Sequence, residues 1–136
     1  MSKDFEGWGK LKTSLHAREN IPTFQQREIW WCSIGVNIGH EEDGKNALYH
    51  RPILIVHKFN AHIFWGIPLT TKIKESPFYH SINFNNREQC VMLTHLRLLE
   101  SKRLDRKIGK LQNREFEQIK HTLREIIGKS SQPTNS

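Results

Sequence analysis

The stretch RPILIVHKFNAHIFWGIPLTT, Arg51–Thr71, decides the fold. Two short apolar runs, PILIVHKF (Pro52–Phe59) and IFWGIPL (Ile63–Leu69), stand on either side of polar residues. Both are rich in β-branched and aromatic side chains, and both are too short for ordinary helices, so they predict two strands. Pro52 opens the first strand, where a missing N–H is tolerated.

The same texture continues in both directions. Upstream, IWWCSIGV (Ile29–Val36) predicts an earlier strand, followed by a loop over Asn37–His50 rich in glycine, asparagine and charge. Downstream, His80–Phe84 and Cys90–His95 predict two more strands, joined by a hairpin turn at Asn85-Asn86. A short sixth strand is expected near Lys107–Leu111. Phe116, Ile119, Leu123, Ile126 and Ile127 then recur at helical spacing, with Asn113 as the expected N-cap and Gly128 as the stop. Ahead of the strands, Phe5, Trp8, Leu11 and Leu15 form one face of an amphipathic helix over residues 4–18, with Asp4 as its cap, although Gly7 and Gly9 weaken it. Pro22 ends that segment. The expected organisation is an N-terminal helical arm (1–27), a β domain closed by a helix (28–128) and a disordered polar tail (129–136). Several short strands followed by one packing helix suggest a small curled sheet or barrel.

With 136 residues, the chain has the size of one domain and needs no staple to build a core. Its two cysteines, Cys32 and Cys90, lie in apolar runs without CxxC spacing and read as buried small hydrophobes. The sequence shows no secretory leader and no apolar run that would cross a bilayer, so a cytoplasmic protein is expected. The eight histidines make no HxH or HExxH pattern, and no carboxylate cluster suits magnesium; no metal or other cofactor is expected.

The net charge of +7 favours an anionic partner. Between Arg97 and Arg114, seven basic residues face two acidic ones, the footprint expected for a polyphosphate backbone or simply a solvated surface. Polar residues also mark the strand ends: Arg51 before PILIV, Thr70 and Thr71 after the next strand, and Arg97 after the fifth. If these ends converge on one rim, a guanidinium fork and a hydroxyl there would suit a phosphoryl group. The plainer alternative pairs Arg51 with Glu41 or Glu42 of the loop. Phe78 and Tyr79 are candidates for stacking on an unpaired base, whereas Trp30, Trp31 and Trp65 read as core or dimer contacts. His50, His57 and His95 are further rim candidates that the sequence does not rank.

The runs REIWWCSIGVNIGHEEDGK, RPILIV, IPLTTKI and VMLTHLRLLESKRLDRKIGKL, in this order over Glu28–Ile127, resemble the PemK/MazF family of toxin endoribonucleases. The resemblance implies an SH3-like β-barrel with a C-terminal helix, usually homodimeric, that cuts single-stranded RNA without a metal. It implies 2′,3′-cyclic phosphate and 5′-hydroxyl ends, inhibition by a cognate acidic antitoxin, and DNA binding only through the antitoxin complex. Residue by residue, it implies Arg51 and Thr70 as catalytic, with Thr71 the nearest competitor to Thr70. His40 matches a histidine that one branch uses in its active site. Glu41 matches the acidic residue of the loop GHEEDG, and Arg97 matches a recurrent arginine; Thr71 and Lys72 join them as expected RNA contacts. The arginine–aspartate pair of one branch is absent, since Met92 and Thr94 stand there, and the loop at Lys45–His50 is longer than in compact members. Two other readings use the same rim: a non-catalytic module binding nucleic acid or peptide, and a co-repressor that binds DNA with its antitoxin.

Overall fold

The computed structural model describes residues 4–18, 20–35 and 50–129. An N-terminal helix, α1 (Phe5–His16), is followed by seven strands: β1 (Glu28–Ser33), β2 (His50–Lys58), β3 (Ile63–Thr70), β4 (Tyr79–Phe84), β5 (Arg87–Met92), β6 (Arg97–Glu100) and β7 (Leu104–Lys110). Helix α2 (Asn113–Gly128) closes the fold. The sheet is antiparallel and runs in the order β4-β5-β3-β2-β1-β7, with β6 pairing the first half of β3. Because β3 pairs β6 along Ile63–Gly66 and β5 at Leu69–Thr70, the sheet changes direction there and curls into a half-barrel.

Strand β2 explains the uninterrupted apolar run PILIV, because both its faces are buried. Leu54 and Val56 join Ile29, Ile67, Leu69 and Val91 beneath Phe116, Ile119 and Leu123 of α2. Ile53 and Ile55 point the other way, into a second core with Phe24, Trp30, Cys32, Phe64, Leu99 and Leu104. Cys32 and Cys90 are buried free thiols, as expected, and burial raises the Cys32 pKa to about 12.

Several boundaries differ from the sequence reading. β5 begins at Arg87 instead of Cys90, because Asn85 and Asn86 both take positive φ (53° and 59°). That tight two-residue turn sets Phe84 directly opposite Arg87, so a polar triplet, Arg87-Glu88-Gln89, is drawn into the sheet. Leu93–His95 is a 3₁₀ turn, not strand. β6 lies in what reads as a basic surface segment; its signal is Leu99 alone, buried opposite Phe64. β7 starts three residues earlier than expected, and β1 ends at Ser33. The N-cap of α2 is Gln112 and makes no side-chain cap bond, so Asn113 lies inside the helix.

Helix α1 forms where expected, with Asp4 Oδ1 accepting from Gly7 N at 2.9 Å. Its stripe is only partly used: Trp8 is buried, while Phe5 stays exposed. Trp8 lies on Gly35 (φ +78°), where an added Cβ would sit 2.1 Å from the indole. The Arg103 guanidinium lies 5.5 Å from the same ring. Arg18 donates to the backbone oxygens of Lys102 and Leu104, which pins the end of the arm to the barrel.

Candidate functional site

The two edge strands, β4 and β7, approach each other where Phe84 rests on Gly109; a Cβ on Gly109 would come within 2.7 Å of the Phe84 ring. Beside this seam lies a cleft of about 430 Å³. Its walls are Ile29 and Trp31 of β1, His50–Pro52 of β2, Leu69–Thr71 at the end of β3, Ile108 of β7, and Phe84, Asn85, Arg87 and Gln89 of the β4–β5 hairpin.

Arg51 and Thr70 meet here because of register. Ile53 pairs Pro68, and the same register carried two residues further sets Arg51 opposite Thr70. The Arg51 Nη1 donates to the Leu69 backbone oxygen at 3.3 Å. Thr70 Oγ1 accepts from Lys72 N at 3.2 Å, which uses a lone pair and not its O–H. His50, Arg51 and Thr70 are only 7 %, 7 % and 8 % exposed, three of the six buried polar or charged side chains among the described residues. Buried polar groups gathered along one cleft are unfavourable for stability alone, and such gatherings mark functional sites.

The neighbouring His50 was one of three histidines the sequence left unranked. Its ring stacks on Trp31 (centroids 5.7 Å apart, planes 28° from parallel) and its Nε2 stands 3.7 Å from Asp105 Oδ2. Burial pushes its pKa below the ordinary value; Asp105 opposes that shift and Arg106 adds to it. His50 is therefore neutral at neutral pH. Arg106, paired with Trp31 across β1 and β7, lies 6.0 Å from its ring, and Trp31 is half-buried and lines the cleft instead of joining either core. Trp30 is core, and its Nε1 donates to Glu28.

The other expected site residues lie apart. Thr71 lines the cleft and Lys72 follows it, exposed. Phe78 and Tyr79 sit at the far end of β4 from Phe84, outside the cleft; Phe78 is exposed and Lys74 covers Tyr79 at 5.2 Å. Arg97 opens β6 opposite Gly66 and does not line the cleft, so the expected convergence holds for the ends of β2 and β3 only. His40 and Glu41 fall outside the described residues, as do the other residues of the segment 36–49. His57 packs with Phe59 and Trp65 on another face, and His95 with Thr94. Among the described residues no group of three or more histidine, cysteine or acidic side chains is arranged to hold a metal.

Arg87 and Gln89 are the site residues that sequence reasoning missed outright. Their signal was the Asn85-Asn86 turn, which requires a strand to begin at once on its far side.

A curled antiparallel half-barrel with a terminal helix and a polar cleft at the ends of β2 and β3 is the MazF-type fold. Residues 25–127 match the family of PemK-like, MazF-like toxins of type II toxin–antitoxin systems, and the chain belongs to that family. No curated protein sequence matches it. The MazF toxin of Deinococcus radiodurans has a similar structure (TM-score 0.62, 18 % identity), covering 82 % of this chain and 100 % of that one. An endoribonuclease from a mycobacterial species, in complex with its cognate antitoxin, is also similar (TM-score 0.60, 15 % identity, 81 % and 100 % covered). At these identities the likeness concerns the fold.

Proposed function

We propose that this chain is the toxin of a type II toxin–antitoxin pair and acts as a sequence-specific endoribonuclease on single-stranded RNA. The observation that carries the reading is the burial of Arg51 beside Thr70 at one cleft. Membership of the toxin family supports it, as does the endoribonuclease activity of a mycobacterial structural neighbour.

In this reading the RNA 2′-hydroxyl attacks the adjacent phosphorus and expels the 5′-oxygen, leaving a 2′,3′-cyclic phosphate and a 5′-hydroxyl. The substrate supplies its own nucleophile, so the chemistry calls for no metal-bound water. The protein must hold the attacking oxygen in line and stabilise the negative charge that builds on the phosphoryl oxygens. Arg51 supplies a forked cation and Thr70 a hydroxyl donor for those oxygens. His40 from the preceding loop and RNA contacts by Glu41, Thr71, Lys72, Phe78, Tyr79 and Arg97 complete the family-derived proposal. Homodimerisation, capture by an acidic antitoxin, DNA binding through that complex and a cytoplasmic location belong to the same proposal. The net charge of +7 suits both RNA and an acidic antitoxin. No described helix is long and apolar enough to cross a membrane.

The test is incubation with a pool of single-stranded RNA oligonucleotides in EDTA, followed by mapping of the product ends, with Arg51→Ala in parallel. Cyclic-phosphate ends that fall by about 10²–10³ in the variant are expected. A folded wild type that binds the pool and leaves every RNA whole would move the assignment to a non-catalytic binding module.

A further inference from the structure

The phosphoryl chemistry above leaves a proton unassigned. The 2′-oxygen must lose its proton as it attacks, and neither residue so far placed takes it well. A guanidinium stays protonated, with a pKa above ~12, and a threonine hydroxyl is neither basic nor charged near neutrality. The cleft holds one further titratable group of suitable chemistry. Of the seven histidines among the described residues, His50 alone lines it.

We propose that His50 is the general base of this cleft, taking the 2′-hydroxyl proton while Arg51 and Thr70 hold the phosphoryl oxygens. The proposal rests on the ribonuclease reading and deepens it. Three features of the geometry support it. His50 and Arg51, the first two residues of β2, both line the cleft at the open end of that strand. The Trp31 ring, stacked 5.7 Å away on β1, restricts rotation of the imidazole. Asp105 on β7 stands 3.7 Å from Nε2 and is half-exposed; its carboxylate favours the tautomer carrying its proton on Nε2, which leaves the lone pair on Nδ1.

The step balances without a further reagent. The O2′–P bond forms as the 2′ proton passes to Nδ1; the P–O5′ bond breaks, and the departing 5′-oxygen takes a proton from water. The imidazolium then returns its proton to the solvent. Among the described residues, the groups set against His50 are Trp31 and its ladder partner Ser33 from β1, and Asp105 and Arg106 from β7, while Arg51 follows it on its own strand. Their balance keeps the imidazole in the neutral form a base requires, because burial and Arg106 outweigh Asp105.

The experiment is single-turnover cleavage of single-stranded RNA in EDTA from about pH 5 to about pH 8, with RNA binding measured alongside. In the wild type the rate is expected to rise along an acidic limb centred below 6.5, the ordinary histidine value. His50→Gln is expected to lose about 10²–10⁴ in rate, to lose that limb, and to bind RNA as the wild type does. Asp105→Asn, at an exposed position, is expected to move the limb to lower pH, since the carboxylate raises the His50 pKa. This variant decides the matter if His50→Gln does not fold. A His50→Gln protein that cleaves at the wild-type rate, or that slows with its acidic limb intact, overturns the proposal and leaves the ribonuclease reading standing. So does an Asp105→Asn limb that does not move. A wild type that cuts nothing removes the ribonuclease reading itself, whereas wild-type cleavage that falls by about 10²–10³ in Arg51→Ala but not in His50→Gln keeps that reading and overturns only the assignment of the base.

Discussion

Thr70 ends β3 paired with Cys90 of β5, just past the last β2 pair at Pro68, so its backbone is fixed before any ligand arrives. Its oxygen caps the following turn by accepting from Lys72 N, which engages a lone pair and not the O–H. Thr70→Val removes that donor with little change in shape. Single-turnover cleavage is expected to fall by about 10²–10³, while Thr70→Ser stays within about tenfold of the wild type. Arg51 and Thr70 were legible in the sequence because each adjoins an unmistakable apolar strand. His50 was visible but unranked, since a residue at the seam between a loop and a strand has no periodicity to assign it a face. Its place beside Trp31 and Asp105 depends on strands far away in sequence.

At the scale of elements, β1 and β7 are joined by more than their backbone ladder. Glu28, 6 % exposed, accepts from Lys107 at 2.9 Å, from Trp30 Nε1 at 3.1 Å and from Gln25 N at 2.7 Å. Burial alone would raise its pKa; the hydrogen bonds from Lys107, Trp30 and Gln25, with the Lys107 charge, outweigh burial and leave it below the ordinary 4.5. A depressed folded-state pKa means that the carboxylate stabilises the fold fully above about pH 4.5 and that this contribution is lost as pH falls through the lower, folded value. Glu28→Gln is therefore expected to lose about 1–3 kcal/mol in denaturant titrations near neutrality, with the gap to wild type closing in acid. β5 and β6 escaped full notice for a shared reason. Strands with one polar or solvent-facing side carry few apolar residues, so Arg87-Glu88-Gln89 and the lone buried Leu99 look like loop until a partner strand is placed beside them.

For the whole molecule, charge and the N-terminal arm give separate predictions. Arg87, exposed at the cleft mouth, adds a cation to an already basic protein. If it meets a phosphate, Arg87→Ala should weaken RNA binding broadly across sequences. The slope of log affinity against log salt should then shrink by about 0.7, measured by filter binding at several salt concentrations. The arm α1 is fixed chiefly by Trp8 on Gly35 and by Arg18 at its end. Trp8→Ala removes the only buried side chain of that helix and should cost about 3 kcal/mol of local docking. Limited proteolysis is then expected to clip the chain near residues 17–22 while the barrel keeps its thermal transition. A variant as resistant as the wild type would show that the arm is held by other contacts.

The amino-acid sequence by itself determined the doubly buried β2, the amphipathic stripe of α2, the reduced buried cysteines, and Arg51 and Thr70 at strand ends. Each of these follows from local periodicity or from burial, which neighbouring residues encode. Only the tertiary structure decided that Arg87 and Trp31 join His50 at one cleft and that Arg97, Phe78 and Tyr79 stand away from it. The physical reason is register. A two-residue turn, a change of partner along β3 and the contact of Phe84 with Gly109 set which strand ends meet, and every one of these is a contact between residues distant in the chain.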